Sequence, residues 1–207
     1  MFSMNPSTIV YRWLWPDRIK KMNHVERQAL VDGLGAFATL MLEKHPRLFA
    51  PAMHAWKNPA WVDFILRNGL SPFVVALDGE KVVGVSKYNI EKIHQKWVGE
   101  IGLEMVDPSY QRRGIASGMV HRIINFSRRS NIQTIHVNAT TPENKLRYLK
   151  WSQRGGKPYY VRGEKRMIID SIFFGKVSPH YNVRISVTPM AMTRNLHLLP
   201  RKVRKRT

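Results

Sequence analysis

The chain contains no cysteine among its 207 residues. Disulfide bonds, thiolate metal sites and cysteine nucleophiles are therefore excluded, and nothing in the composition requires an oxidising compartment. None of the eight histidines forms a metal-ligand spacing such as H-x-x-x-H together with a carboxylate, so we expect no metal site. His94 could transfer protons beside a central strand, although a surface or packing role is the simpler interpretation.

Long apolar runs are also missing. No stretch approaches the roughly 20 apolar residues that cross a bilayer, and the first residues lack a basic segment followed by an apolar core. Hydrophobic residues nevertheless make up 43% of the chain, which is enough for one substantial core. We expect a single domain over residues 1–190, without a membrane partner, in a protein that is cytoplasmic or lies within a virus particle or nucleoid.

Acidic residues are scarce, with 14 Asp and Glu against 34 Lys and Arg, which gives a net charge of +20. Residues 1–100 carry 13 basic and 9 acidic residues, whereas residues 101–207 carry 21 and 5. Residues 191–207 form a basic tail without an acidic residue. Such a surplus favours a polyanionic partner, so we expect nucleic acid or a nucleic-acid-containing assembly to contact the C-terminal half. The alternative is that the charge only keeps the protein soluble.

The first half of the chain shows clear strand and helix patterns. A β-branched and aromatic run at 8–15 predicts a strand, and apolar residues at three- and four-residue steps predict a helix over 25–44. Asn58 and Pro59 are typical of a helix cap and first position, for a helix ending near Gly69. Two β-branched runs joined at Asp78-Gly79 predict a hairpin over 72–88.

The second half is predicted from shorter patterns. A strand is expected at 133–138, followed by a helix that begins at Thr141-Pro142. Strands at 158–162 and 165–174 are expected to flank a turn at Gly163-Glu164. A further strand is expected at 181–188.

The stretch 97–118 organises the chain. Apolar residues alternate with more polar ones along a predicted strand until Asp107-Pro108-Ser109 ends it, and the loop that follows opens a helix. The alternating residues are Trp97, Gly99, Ile101, Leu103 and Met105. A helix N-terminus presents unpaired backbone N–H groups and a positive dipole end, so a small-residue loop there can surround a pyrophosphate. Arg112 and Arg113 add positive charge to it.

This loop carries a resemblance to a known family. Its residues fit the acyl-coenzyme A signature Q/R-x-x-G-x-G/A of the GNAT acetyltransferases, and Val106-Asp107-Pro108 resembles the V-x-P that precedes that signature in the family. The signature residues are Gln111, Arg112, Arg113, Gly114, Ile115 and Ala116. The resemblance covers roughly residues 8–174. It implies an α/β fold, with a mixed, mostly antiparallel sheet flanked by helices on both faces.

The resemblance also implies an activity, the acetyl-CoA-dependent N-acetylation of an amine by direct attack. In the family's usual mechanism, backbone N–H groups near the end of the central strand hold the carbonyl oxygen, which here implies Met105 and Val106. Glu100 lies eleven residues before Gln111, the spacing of a catalytic glutamate in the histone-acetylating branch. Glu104, on the same strand face, is the rival base.

A second family motif, N-x-x-A-x-x-L-Y-x-x-x-G-F, is matched only in part. Asn144 aligns with the cofactor-binding asparagine, but Trp151 stands where the family has the tyrosine that protonates the departing thiolate. An indole N–H cannot supply a proton at neutral pH, which leaves Tyr148, one helical turn earlier, as the candidate acid. The departure also suits an alternative, a non-catalytic protein of the same fold in a ribosome, nucleoid or virus particle.

Overall fold

A computed structural model describes residues 8–45, 54–139, 159–169 and 177–187 of the protein. The helices and strands whose bounds the structure gives are, in chain order, β1 Val10–Leu14, α1 Pro16–Ile19, α2 His24–Lys44, α3 Pro59–Asn68, β2 Phe73–Asp78, β3 Lys81–Ile93, β4 Lys96–Val106, α4 Ile115–Arg129, β5 Thr134–Ala139, β6 Tyr159–Ile169 and β7 Val177–Val187. A 3-10 turn, Pro108–Tyr110, lies between β4 and α4. Within the described ranges, no helix is long and apolar enough to span a membrane, and no group of side chains could hold a metal ion.

The chain is divided into two compact units. The first combines the described residues up to Tyr88 with Leu103–Ile123, and the second combines Asn89–Gly102 with the described residues from Ile124 onward. In the first unit β1 pairs with β2, and β2 with β3, both antiparallel. In the second unit β4 pairs parallel with β5, while β5–β7 and β7–β6 are antiparallel. The predicted mixed, mostly antiparallel sheet is therefore confirmed.

The first unit carries helices on both faces of its strands. A register shift pairs Ala76 with Gly84 but Leu77 with Val82, so that Val83 is an extra residue in β3. A Cβ atom on Gly33 of α2 would lie 3.2 Å from Val82 Cγ2. A Cβ atom on Gly84 would instead lie 3.1 Å from Ile115 Cγ2 and 3.2 Å from Met119 Cε, both in α4. The bulge thus turns Val82 towards α2 and Gly84 towards α4.

The predicted cap at Asn58-Pro59 is confirmed, and the structure adds a second cap at Asn23. Asn58 Oδ1 accepts hydrogen bonds from the backbone N–H groups of Ala60 and Trp61, and Pro59 is the first residue of α3. Asn23 caps α2 in the same way by accepting from Glu26 N at 2.8 Å. Both caps satisfy amides that have no acceptor within the helix. The predicted hairpin is also confirmed, with Gly79 at φ +59° in its turn.

One prediction for the C-terminal strands was wrong. Gly163 and Glu164 lie inside the single strand β6, where they pair with Val183 and Asn182, and not in a turn. The strand expected at 181–188 is confirmed as β7, although it begins earlier, at Val177, and it pairs with both β5 and β6. An isolated glycine is compatible with a strand interior as well as with a turn. Only the pairing partner, which follows later in the sequence, distinguishes the two.

Candidate functional site

The loop between β4 and α4 has an unusual backbone. Gln111 has φ −63°, Arg112 φ +62° and Gly114 φ +79°. Backbone that alternates between negative and positive φ can form a concave surface lined by N–H groups, which suits an anion. The residues from Gln111 to Gly114 are exposed to solvent. A Cβ atom on Gly114 would meet no atom within 4 Å, so the positive φ, rather than crowding, is what requires glycine there.

The N-terminus of α4 follows directly. Gly118 N donates to Gly114 O at 2.8 Å, which closes the first turn of the helix. Helix geometry leaves the amides of this first turn without an acceptor inside the helix, and the helix dipole adds partial positive charge. Ile115 is only 2% exposed and so fixes the start of α4 in the core, while Ala116 is half-buried. The exposed bend, which contains two arginines, thus lies next to amides that have no acceptor inside α4.

Gly118 allows the first turn of α4 to approach β1. A Cβ atom on Gly118 would overlap the phenol ring of Tyr11. The guanidinium Cζ of Arg122, one turn further along α4, lies 5.4 Å from the centre of the same ring. Burial raises the pKa of Tyr11, and the nearby Arg122 charge offsets this only in part. Tyr11 is therefore neutral near pH 7 and supports the helix N-terminus by packing.

Asp107 anchors the beginning of the loop. Its Oδ1 accepts from Ser109 N at 2.9 Å and from Ser109 Oγ at 2.6 Å, and its Oδ2 accepts from Lys81 Nζ at 2.9 Å. Its backbone N–H donates to the carbonyl of the bulged Val83. Burial alone would raise the pKa of Asp107, but the hydrogen bonds from Ser109 and the ion pair with Lys81 outweigh it and lower that pKa. The carboxylate is therefore ionised at neutral pH although the residue is 2% exposed.

Tyr110 holds the other end of the 3-10 turn. Its hydroxyl donates to Asp78 Oδ2 at 2.6 Å, and this hydrogen bond raises the pKa of Tyr110. Lys81 Nζ and Arg113 Cζ each lie 4.9 Å from the centre of its ring. Cations at this distance from an aromatic ring are attracted by its quadrupole. Tyr110 therefore connects the β2–β3 hairpin to an arginine of the exposed bend.

Strand β4 has the predicted alternation. Ile101 and Met105 are 2% and 3% exposed, and Gly99 is buried on the same strand face. Met105 packs in the core of the first unit, with Val106, the last residue of β4, half-buried beside it. Both belong to the strand that ends at the loop, as expected for backbone donors near a thioester. Their role as donors stays a prediction.

Glu100 lies on the other face of β4. Asn89 Nδ2 donates to Glu100 Oε2 at 3.1 Å, and a Cβ atom on Gly102 would lie 3.3 Å from that same amide nitrogen. In the parallel pairing of β4 with β5, Glu100 is opposite His136. Glu100 and Glu104 are both half-buried. The amide of Asn89 orients the Glu100 carboxylate, which suits a residue whose proton transfer depends on its position.

Several predicted residues lie outside the part of the chain that the structure describes. These are Asn144, Tyr148, Trp151 and the basic tail 191–207. Conversely, sequence reasoning missed Asp78, Lys81 and Tyr110 as part of this site. Lys81 of the hairpin donates to Asp107 of the loop, 26 positions away, and Tyr110 of the loop donates to Asp78 of the hairpin, 32 positions away. No local sequence pattern connects either pair. Asp78 was identified only as a turn residue.

Comparison with known proteins gives the same architecture. The sequence profile of the Acetyltransferase (GNAT) family matches residues 22–147, and no curated protein sequence matches the chain. Arabidopsis thaliana NAA60 in complex with acetyl-CoA is similar in structure, with a TM-score of 0.56 at 13% identity over 87% of this chain and 98% of that one.

Two bacterial or environmental structures agree with this. An acetyltransferase of the GNAT family from Streptococcus pneumoniae has a TM-score of 0.54 at 12% identity, over 87% of this chain and 99% of that one. An aminoglycoside acetyltransferase from an uncultured soil metagenomic sample, in complex with sisomicin, has a TM-score of 0.52 at 14% identity, over 81% and 97%. At these identities the likeness concerns the fold. The family profile, however, spans more than half of the sequence and includes the whole of β4, the loop and α4, so the chain belongs to the GNAT family of acetyltransferases.

Proposed function

We propose that this protein is an acetyl-CoA-dependent N-acetyltransferase that transfers the acetyl group to an amine by direct attack. The observation that carries the proposal is the exposed bend at 111–114, where positive φ at Arg112 and Gly114 precedes the N-terminus of α4. This is the segment that fits the family's acyl-coenzyme A signature. Membership of the family supports the reaction, and the geometry of the bend supports the cofactor.

The residues of the bend fit a pyrophosphate. The backbone N–H groups of the bend and the first amides of α4 can donate to phosphate oxygens, and the space beside Gly114 is open. Arg112 and Arg113 add two exposed guanidinium groups, which can bind phosphate through paired hydrogen bonds. Ala116, with its small side chain, completes the signature. Acetyl-CoA bound there would supply an acetyl group activated as a thioester.

The chemistry that remains for the protein is proton transfer and charge stabilisation. We assign Glu100 as the base that accepts the proton of the acceptor amine, directly or through water. Its carboxylate is already oriented by Asn89. The backbone N–H groups of Met105 and Val106 are the proposed donors to the developing oxyanion. Tyr148 is the proposed acid for the thiolate, with Asn144 assigned to the cofactor.

The proposal is tested by calorimetric titration of the protein with acetyl-CoA at low salt. We expect saturable binding by the unmodified protein and its loss in Gly114→Asp, which combines a strained backbone with a negative charge in the bend. Leu70→Asp is the matched control, since it adds the same charge at a residue that is 64% exposed. The proposal is wrong if the unmodified chain does not bind, or if Gly114→Asp binds equally well.

The acceptor is sought by measuring CoA released from acetyl-CoA in the presence of candidate amines. Because the structural neighbours include a complex with an aminoglycoside and one with a bisubstrate analogue, the first panel consists of sisomicin, peptides with free N-termini or lysines, and polyamines. The panel should identify at least one amine that accelerates CoA release. Acetylation of that amine is then checked by mass spectrometry.

The competing proposal is a non-catalytic protein of this fold that binds nucleic acid. Trp151 at the position of the family's tyrosine and the +16 surplus of residues 101–207 favour it. Such a protein would bind its partner stoichiometrically and release no CoA with any amine. Its affinity for duplex DNA would fall with salt by a log–log slope of about −0.9 per phosphate contacted, and removal of residues 194–207 would make that slope shallower. A slope unchanged by truncation would exclude the tail from this contact.

A further inference from the structure

Two residues at the tip of the β2–β3 hairpin contact the β4–α4 loop. Asp78 and Lys81 are the last paired residues of the two strands, opposite one another across the two-residue turn Gly79–Glu80. Gly79, with φ +59°, occupies the first turn position, where positive φ favours glycine. The tight turn therefore presents one carboxylate and one ammonium group side by side.

These two groups bind the two ends of the 3-10 turn in the loop. Asp78 Oδ2 accepts from the Tyr110 hydroxyl at 2.6 Å, at the end of the turn. Lys81 Nζ donates to Asp107 Oδ2 at 2.9 Å, at its beginning. Lys81 Nζ is also 4.9 Å from the centre of the Tyr110 ring. The hairpin tip thus holds the turn at both ends.

Arg113 connects the 3-10 turn to the exposed bend at 111–114. Its guanidinium carbon lies 4.9 Å from the centre of the Tyr110 ring. Residues 111–114 are exposed and so have little core packing of their own to hold them. The position of Tyr110, which the hairpin fixes, therefore limits where the Arg113 side chain and the neighbouring backbone can lie.

We propose that Asp78, Lys81 and Tyr110 are positioning residues for the pyrophosphate, which hold the bend and Arg113 in the binding arrangement before the cofactor arrives. This inference rests on the proposed function. A loop that is ordered in advance does not lose conformational entropy on binding, so its ligand binds more tightly. The hairpin tip itself need not touch the cofactor.

The sharpest variant is Tyr110→Phe, because it removes the hydroxyl that reaches Asp78 while leaving the aromatic ring and every charge unchanged. We expect its affinity for acetyl-CoA to fall about threefold to tenfold, the range for one lost hydrogen bond. CoA and 3′-dephospho-CoA should be weakened by the same factor, because both keep the pyrophosphate. In Asp78→Ala the affinity should fall as much, and the double variant should bind no more weakly than either single one.

Two controls distinguish positioning from general stability and from charge. Asp17→Ala, in the first turn of α1, also removes one negative charge from the first unit, and it should not weaken binding. Lys81→Met should weaken binding, and Lys81→Arg, which can keep the ion pair with Asp107, should restore it. All titrations are made well below each variant's melting temperature, which is measured separately. Amide exchange of residues 111–114 in the free protein should be faster in Tyr110→Phe.

The outcomes separate this inference from the function on which it rests. If the unmodified protein does not bind acetyl-CoA, both fall. If it binds and Tyr110→Phe binds equally well, with only a lower melting temperature, the hydrogen bond is structural and the positioning role alone is overturned. Weaker binding together with faster exchange in the bend supports the positioning role.

Discussion

Two hairpins share strand β3, and their turns have the same length but different backbones. In the first, Gly79 has φ +59° and the closing pair contacts the β4–α4 loop. In the second, His94 and Gln95 have φ +45° and +65° without any glycine. The first hairpin contributes positioning contacts, and the second carries Asn89 and Glu100 in hydrogen-bonding distance. Substitutions in the first should therefore affect cofactor binding, and those in the second should affect turnover or stability.

The largest effect is expected for Glu100→Gln. If Glu100 is the base, CoA release with an accepted amine should slow by about 100-fold to 10,000-fold, the usual contribution of a general base. The affinity for acetyl-CoA should change little. Glu104→Gln, on the same strand face, is the matched control and should retain most of the activity. The reverse pattern, with Glu104→Gln inactive, would transfer the role of base to Glu104.

A smaller effect is expected for Asp107→Asn, which removes the ion pair between the first hairpin and the loop. It should lower the free energy of unfolding by about 1–3 kcal/mol at pH 7, because it weakens the hydrogen bonds and leaves Lys81 without its anionic partner. The pKa of Asp107 is lowered in the folded state. Its contribution is therefore present above the unfolded pKa of about 3.9 and is lost as the pH falls through the folded value.

Melting temperatures of the two proteins across pH 2–8 measure this difference. The two curves should begin to converge below the unfolded pKa of about 3.9 and should meet once the pH has fallen through the lower folded pKa of Asp107, where the native carboxyl becomes protonated. Asp17→Asn, at an exposed site, is the control and should give curves close to wild type throughout. A constant difference between wild type and Asp107→Asn down to pH 2 would show that the charge of Asp107 does not stabilise the loop.

The smallest effect concerns the two turns themselves. Positive φ costs a residue with a Cβ atom roughly 1 kcal/mol, so Gln95→Gly should stabilise the protein by up to about that amount. Gly79→Ala should destabilise it by a similar amount. Urea denaturation measures both changes. Destabilisation by Gln95→Gly would mean that the Gln95 side chain makes a contact that outweighs the backbone strain.

The two turns also explain which parts of the fold could be predicted. The first hairpin was expected at Asp78-Gly79 because glycine marks a positive φ in the sequence. The turn at His94-Gln95 carries no such mark, and there His94, a candidate for proton transfer, is an exposed turn residue. Glycine can also mislead, because it does not always mark a turn. Gly163 was interpreted as a turn residue, but it lies in β6 and pairs with Val183.

The candidate site likewise has a part that could be predicted from the sequence and a part that could not. The bend at 111–114 and the start of α4 could be located from the sequence, because glycine, small residues and helix periodicity are local signals. The hydrogen bond between Asn89 and Glu100 joins two adjacent strands, and the motif spacing identified Glu100 but not its partner. Nothing local connected Tyr110 with Asp78.

By itself, the sequence determined the absence of cysteine chemistry, the basic surplus, most of the strands and helices, and the position of the bend at 111–114. These follow from composition and from periods of two and 3.6 residues, which involve neighbours along the chain. Only the tertiary structure decided that Val83 is an extra residue in β3, that Tyr11 packs against Gly118, and that the hairpin tip holds Asp107 and Tyr110. Each of these depends on contacts between residues far apart in sequence, which form only when the strands and α4 have packed together.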